Sequence, residues 1–98
     1  MTREIKLTVN DEPVFLDYFV QAFIDHTTNG MLSALEGTGE IENAEIIING
    51  EQVSVIVNST PVELNAFASK IFGNTVKGML SSLKGVKEIR NLHLHVKR

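Results

Sequence analysis

Sliding the 98-residue chain against itself by 48 positions leaves 16 identical pairs among 48 aligned positions, without a gap. No other feature limits the fold as strongly, because a self-match of this length calls for one structural unit used twice. Its most visible part is GMLSALEG at residues 30–37 against GMLSSLKG at residues 78–85. The match also pairs Val9-Asn10 with Val57-Asn58, Pro13-Val14 with Pro61-Val62, Leu16 with Leu64, Phe19 with Phe67 and Thr27 with Thr75. Further on it pairs Glu40-Ile41 with Glu88-Ile89 and Asn43 with Asn91. The chain therefore reads as a single domain, residues 1–98, made by tandem duplication of residues 3–50 and 51–98.

Each copy reads as strand, helix, strand. EIKLTVN places Ile5, Leu7 and Val9 on one face, and QVSVIVN does the same with Val53, Val55 and Val57. The helix is expected to open at proline. In the second copy Thr60 would cap it, Pro61 would take the first helical position and Glu63 would complete a capping box. The first copy, with Pro13 between Glu12 and Val14 and Phe15 where Glu63 stands, offers a weaker start.

Stepping 100° per residue gathers Leu16, Phe19, Val20, Phe23, Thr27, Gly30, Met31 and Ala34 into one stripe. The counterpart is Leu64, Phe67, Ala68, Ile71, Thr75, Gly78, Met79 and Ser82. Taken as the buried side, this stripe predicts one continuous helix of roughly 23 residues, ~35 Å long, overhanging strands of only ~20 Å. Gly30 and Gly78 would then face inward, where close backbone approach offsets the ~1 kcal/mol a mid-helix glycine costs against alanine. Gly37 and Gly85 read as C-caps. Leu32 and Leu80 fall on the opposite side and are candidate contact residues for another subunit.

The closing strands are AEIII and NLHLHV. Between the copies, Asn49-Gly50 flanked by apolar residues is a hairpin signal, since a type I′ turn needs positive φ at both central positions. That turn would set Ile48 opposite Glu51, Ile46 opposite Val53 and Ala44 opposite Val55.

The resulting order, βαββαβ, resembles the ferredoxin-like superfold, a doubled split β-α-β unit. The resemblance covers the whole chain and rests on element order and duplication. It implies an α+β two-layer sandwich, with an antiparallel sheet in the order 4-1-3-2 and two long helices on one face. Function does not follow from such an architecture.

The open sheet face should present Lys6, Thr8, Glu45, Ile47, Ser54, Ile56, His93 and His95. His93 and His95 are a weak metal candidate, since two ligands do not make a site and the chain has no cysteine to add another. RNA recognition by such a sheet needs aromatics on its central strands. EIKLTV and QVSVIV carry none, and the net charge is −3, so nucleic acid is an unexpected partner. Cys-x-x-Cys of metal carriers, the glycine-rich phosphate loop of acylphosphatases and serine-nucleophile signatures are all missing. Asp25 and His26 of Asp25-His26-Thr27 read as solvent-facing, and no catalytic residue or cofactor is assigned. No run approaches the ~20 apolar residues of a membrane span, and MTREIKLTVNDEP has no apolar run behind its basic residue, so no signal peptide is expected. A cytoplasmic protein without a membrane partner is expected.

Charge divides unevenly. Residues 1–50 carry nine acids against Arg3 and Lys6, and residues 51–98 carry seven bases against three acids. In a 4-1-3-2 sheet the acidic edge would hold Glu36, Glu40, Glu42 and Glu45, and the basic edge Lys84, Lys87, Arg90, Lys97 and Arg98. Such edges would block sheet-to-sheet aggregation or mate with one another. The expected function is a non-catalytic interaction module that self-associates, a dimer being favoured, or that binds another protein. The contact candidates are Glu36, Glu42, Glu45, Lys84, Lys87, Arg90, Lys97, Leu32, Leu80, Ile47 and Ile56. A small-molecule-sensing regulatory domain is the alternative, and an enzyme or a nucleic-acid binder using the basic second half ranks lower.

Overall fold

The computed structural model describes residues 4–35, 39–86 and 88–97. Six strands and two helices follow in the order β1 (Glu4–Val9), β2 (Glu12–Pro13), α1 (Tyr18–Ser33), β3 (Asn43–Asn49), β4 (Gln52–Val57), β5 (Thr60–Val62), α2 (Ala66–Ser81) and β6 (Asn91–Lys97). All strand pairs are antiparallel, in one sheet of order β2-β1-β6-β3-β4-β5. Shifting by 48 residues carries β1 onto β4, α1 onto α2 and β3 onto β6, and reads the same sheet order from its other end.

This sheet is not the ferredoxin-like 4-1-3-2 arrangement. In terms of the four long strands the order is 1-4-2-3: β6 and β3 are central, and β1 and β4 flank them. The two arrangements share the β3–β4 hairpin and the β1–β6 pair and differ only in which strands meet in the middle. Here a second pair of hairpins decides. Asn10-Asp11 (φ 53° and 67°) and Asn58-Ser59 (φ 49° and 67°) hold positive φ at both central positions, as a type I′ turn requires. Each turn folds a short strand back onto its predecessor, pairing Thr8 with Pro13 and Ile56 with Pro61. β1 and β4 thus have one side occupied by β2 and β5, which leaves neither able to pair with the other. Proline, having no N–H to give to a ladder, is confined to edge strands, and here it sits on the outermost one at each side.

Two asparagine latches hold this arrangement. Asn10 Oδ1 accepts from the Arg90 and Asn91 N–H groups at 2.8 and 3.1 Å, and its Nδ2 donates to the Glu88 carbonyl. Asn58 repeats the pattern on Glu42 N–H, Asn43 N–H and the Glu40 carbonyl at 2.9, 3.1 and 2.8 Å. Each latch ties the turn after a flanking strand to the segment entering a central strand. It joins two parts of the self-match, Val-Asn and Glu-Ile-x-Asn, that are distant in sequence.

The helices begin later and are shorter than the sequence suggests. Thr60 and Pro61 belong to β5, so no capping box forms there. Asp17 and Asn65, again 48 apart, are the caps, accepting from Val20 N–H at 2.8 Å and Ala68 N–H at 2.7 Å. Each helix has 16 residues and is continuous through residues 25–30 or 73–78. At ~1.5 Å per residue that is ~24 Å, matching the strands, so no long overhang exists. The ends are Ala34 and Ser82. Gly85 lies beyond the second end with φ 88°, and Gly37 is outside the described residues.

One sheet face is buried: Ile5, Leu7 and Val9, Ala44, Ile46 and Ile48, Val55 and Val57, and Leu92, Leu94 and Val96. Ile24, Leu32, Phe72, Val76 and Leu80 join the same core from the helices, so both helices cover this face. The β3–β4 turn centres on Gly50-Glu51, with Asn49 opposite Gln52, Ile48 opposite Val53 and Ile46 opposite Val55. This register differs by two residues from the Asn49-Gly50 expectation. An even shift keeps every side chain on its face, so the core is unaffected. Gly50, with φ 63°, takes the first central position that a II′ turn reserves for glycine.

Candidate functional site

Helix α1 is apolar on two opposite sides. Ile24, Thr28 and Leu32 point into the core, whereas Phe19 and Phe23 are 72% and 51% exposed. At 100° per residue, Phe19, Phe23, Gly30 and Ala34 fall within about 60° of one another and roughly opposite the buried side. Helix α2 repeats the arrangement. Phe72, Val76 and Leu80 are buried, and Phe67 and Ile71 are 73% and 47% exposed. The apolar stripe read from the sequence is therefore split: Phe19, Phe23, Gly30, Phe67, Ile71 and Gly78 face outward, whereas Leu16 is buried and Val20, Met31, Leu64 and Met79 pack against the core. Phe15 and Tyr18, at the entry to α1, are exposed away from this stripe, Phe15 beside Lys84 and Arg90. Five of the six aromatic residues are exposed, Phe72 being the sixth.

Gly30 and Gly78 are exposed, and a Cβ added to either would meet nothing within 4 Å. Among the described glycines the close approach occurs at Gly73 instead, where a Cβ would lie 3.2 Å from Val53 Cγ2. Between the helices, Phe19, Val20, Phe23, Met79 and Leu83 line an apolar groove of about 330 Å³. β1 and β3 run parallel to each other and opposite to β4 and β6, so the two helices are antiparallel. The bulky first half of α1 accordingly lies beside the small-residue second half of α2.

Formal charge avoids this outer face. In α1 the single Asp, Glu, Lys or Arg is Asp25, which is buried at 4% exposure rather than solvent-facing; His26 is exposed. In α2 there are Lys70 and Lys77, and Lys77 Nζ donates to the Gly50 carbonyl at 2.8 Å. A surface helix ordinarily turns a charged face to water. These two do not.

The sequence-derived candidates are dispersed. Leu32 and Leu80 are 1% and 0% exposed, core residues rather than contact residues. The strands expected at opposite edges with opposite charge, β3 and β6, are central neighbours, with Glu45 paired to His95 and Asn43 to Lys97. Within the sheet, His93 Nε2 lies 2.9 Å from Glu45 Oε1. Lys84 and Arg90 share a polar depression with Glu12 and Glu88, and Arg90 Nη1 contacts Glu88 Oε2 at 3.4 Å. Glu42 is exposed beside the Asn58 latch. Glu36, Lys87 and Arg98 lie outside the described residues.

The face away from the helices presents Lys6-His95-Glu45-Ile56 across one row and Thr8-His93-Ile47-Ser54 across the next. Among the described residues no group of three or more His, Asp or Glu could hold a metal, and no helix is long and apolar enough to cross a membrane. No family model, curated protein or solved structure matches the chain.

Proposed function

We infer that this chain is a non-catalytic interaction module built from a duplicated half, and that its contact surface is the outer face of the helix layer. One observation carries the reading: the face turned away from the core holds Phe19, Phe23, Phe67 and Ile71 and almost no formal charge. The largest apolar patch of a typical monomer is itself often functional. Here Phe19, Phe23 and Phe67 together expose about two whole side chains, about 400 Å² at ~200 Å² each.

The test is a double substitution, Phe19→Ser with Phe67→Ser. Its unfolding midpoint and denaturant slope should match the parent, because neither ring is part of the core. Binding of an apolar fluorescent dye to dilute protein should fall sharply. A double variant that unfolds as readily as a core truncation would overturn the reading, since Phe19 and Phe67 would then be core residues.

A further inference from the structure

Resting on that reading, we propose that the occupant of the helix face is a second copy of this chain, bound helix layer to helix layer about a twofold axis. The assembly is sheet, helices, helices, sheet.

Three observations select this occupant. The first is area. The rings of Phe19, Phe23 and Phe67 expose about 400 Å², about half of the ~800 Å² per partner of a standard specific interface, as the apolar centre of the contact. The molecule is a slab of 35 × 34 × 18 Å, and pairing through the helices buries its one broad apolar side while both polar sheet faces stay wet.

The second is shape. A twofold contact needs a self-complementary surface. The outer stripe of each helix is bulky in its first half (Phe19 and Phe23; Phe67 and Ile71) and small in its second (Gly30 and Ala34; Gly78 and Ser82). Because the helices are antiparallel, bulky and small regions alternate across the layer, and a copy turned about an in-plane axis sets rings over glycines. This accounts for Gly30 and Gly78, which cost ~1 kcal/mol each against alanine in a helix and approach nothing within their own chain.

The third is charge. An anionic lipid surface or a nucleic acid calls for a basic face. The helix layer offers Lys70 and a Lys77 already bonded to Gly50. An uncharged aromatic face is suited to its own like.

Sedimentation equilibrium from micromolar to millimolar protein tests this. The wild type should pass from 10.8 kDa to twice that mass. Phe19→Glu with Phe67→Glu should remain monomeric throughout, and Ser54→Glu on the open sheet face should dimerise like the wild type. Gly78→Gln is the second variant. It enters open space in the single chain, so folding is retained, and it should weaken dimerisation at least tenfold by filling a hollow. A monomeric wild type at every concentration overturns the proposal, as does a dimer untouched by both helix-face variants. If the wild type is monomeric while Phe19→Ser with Phe67→Ser keeps parental stability and loses dye binding, the second copy is excluded and the contact-surface reading stands for a different protein. If that double variant is destabilised like a core truncation, the contact surface itself was misassigned.

Discussion

The two broad faces of this slab differ in kind. The sheet face carries Glu4, Lys6, Glu45, His93, His95 and Lys97 around two half-buried isoleucines, Ile47 and Ile56. Its cross-strand pairs mix acid, base and hydroxyl, as suits a surface in permanent contact with water. The helix face carries aromatic rings, exposed glycines and almost no charge. Since a sheet needs a cover on only one side, a two-layer fold has two outer faces to finish. Here only one has the composition of a finished surface. The contrast lies in side-chain chemistry, and it is the helix face, not the sheet face, that the proposed contact uses.

The largest effect expected is on the inner side of the helices. Leu80→Ala, at a fully buried position, should cost about 2–5 kcal/mol in chemical denaturation of dilute protein. Phe67→Ala, one helix face away, should cost less than about 1 kcal/mol, as exposed substitutions do. Comparable losses at the two positions would erase the distinction between inner and outer sides.

A smaller effect, of opposite sign, is expected at Thr28. Its Oγ1 is buried and has no hydrogen-bond partner among the described residues, and the equivalent residue of α2 is the buried Val76. Thr28→Val should therefore raise stability by about 1 kcal/mol, the order of the cost of an unsatisfied buried hydroxyl. A loss of stability would mean that the hydroxyl is satisfied and the inner side of α1 is more polar than described.

The sheet face should respond least. His93→Ala removes the contact with Glu45, but His93 and Glu45 side chains are 47% and 33% exposed, and such a pair contributes within ~0.2–1 kcal/mol. The same variant should leave self-association unchanged. A change in assembly mass on this substitution would move the contact surface to the wrong side of the slab.

Much of the fold was legible in the sequence. The 48-residue offset and period-2 alternation marked the four long strands and both helices, with the inward residues of every long strand. The sheet order was missed because Asn10-Asp11 and Asn58-Ser59 went unread as turns. Both pairs tolerate positive φ, and the prolines that follow were assigned to a helix start rather than to an edge strand. The core side of the helices was missed for a different reason. In α1 the inner side is interrupted by Asp25 and Thr28, so hydrophobic periodicity finds Phe19 and Phe23; in α2 Phe67 and Ile71 compete with an inner side of Phe72, Val76 and Leu80. In a chain whose helices are apolar on both sides, periodicity alone cannot say which side meets the sheet; the sheet makes that choice through Leu32 and Leu80.

The distinction between the two faces is tested most directly by solvent paramagnetic relaxation, measured with a soluble gadolinium chelate in dilute and in concentrated protein. Side chains of Phe19, Phe23, Phe67 and Ile71 should broaden strongly when dilute and be protected when concentrated, while Thr8, Ser54 and His93 broaden equally in both. Protection that appears on the sheet face instead, or rings at positions 19 and 67 that are shielded even in dilute protein, would contradict the account.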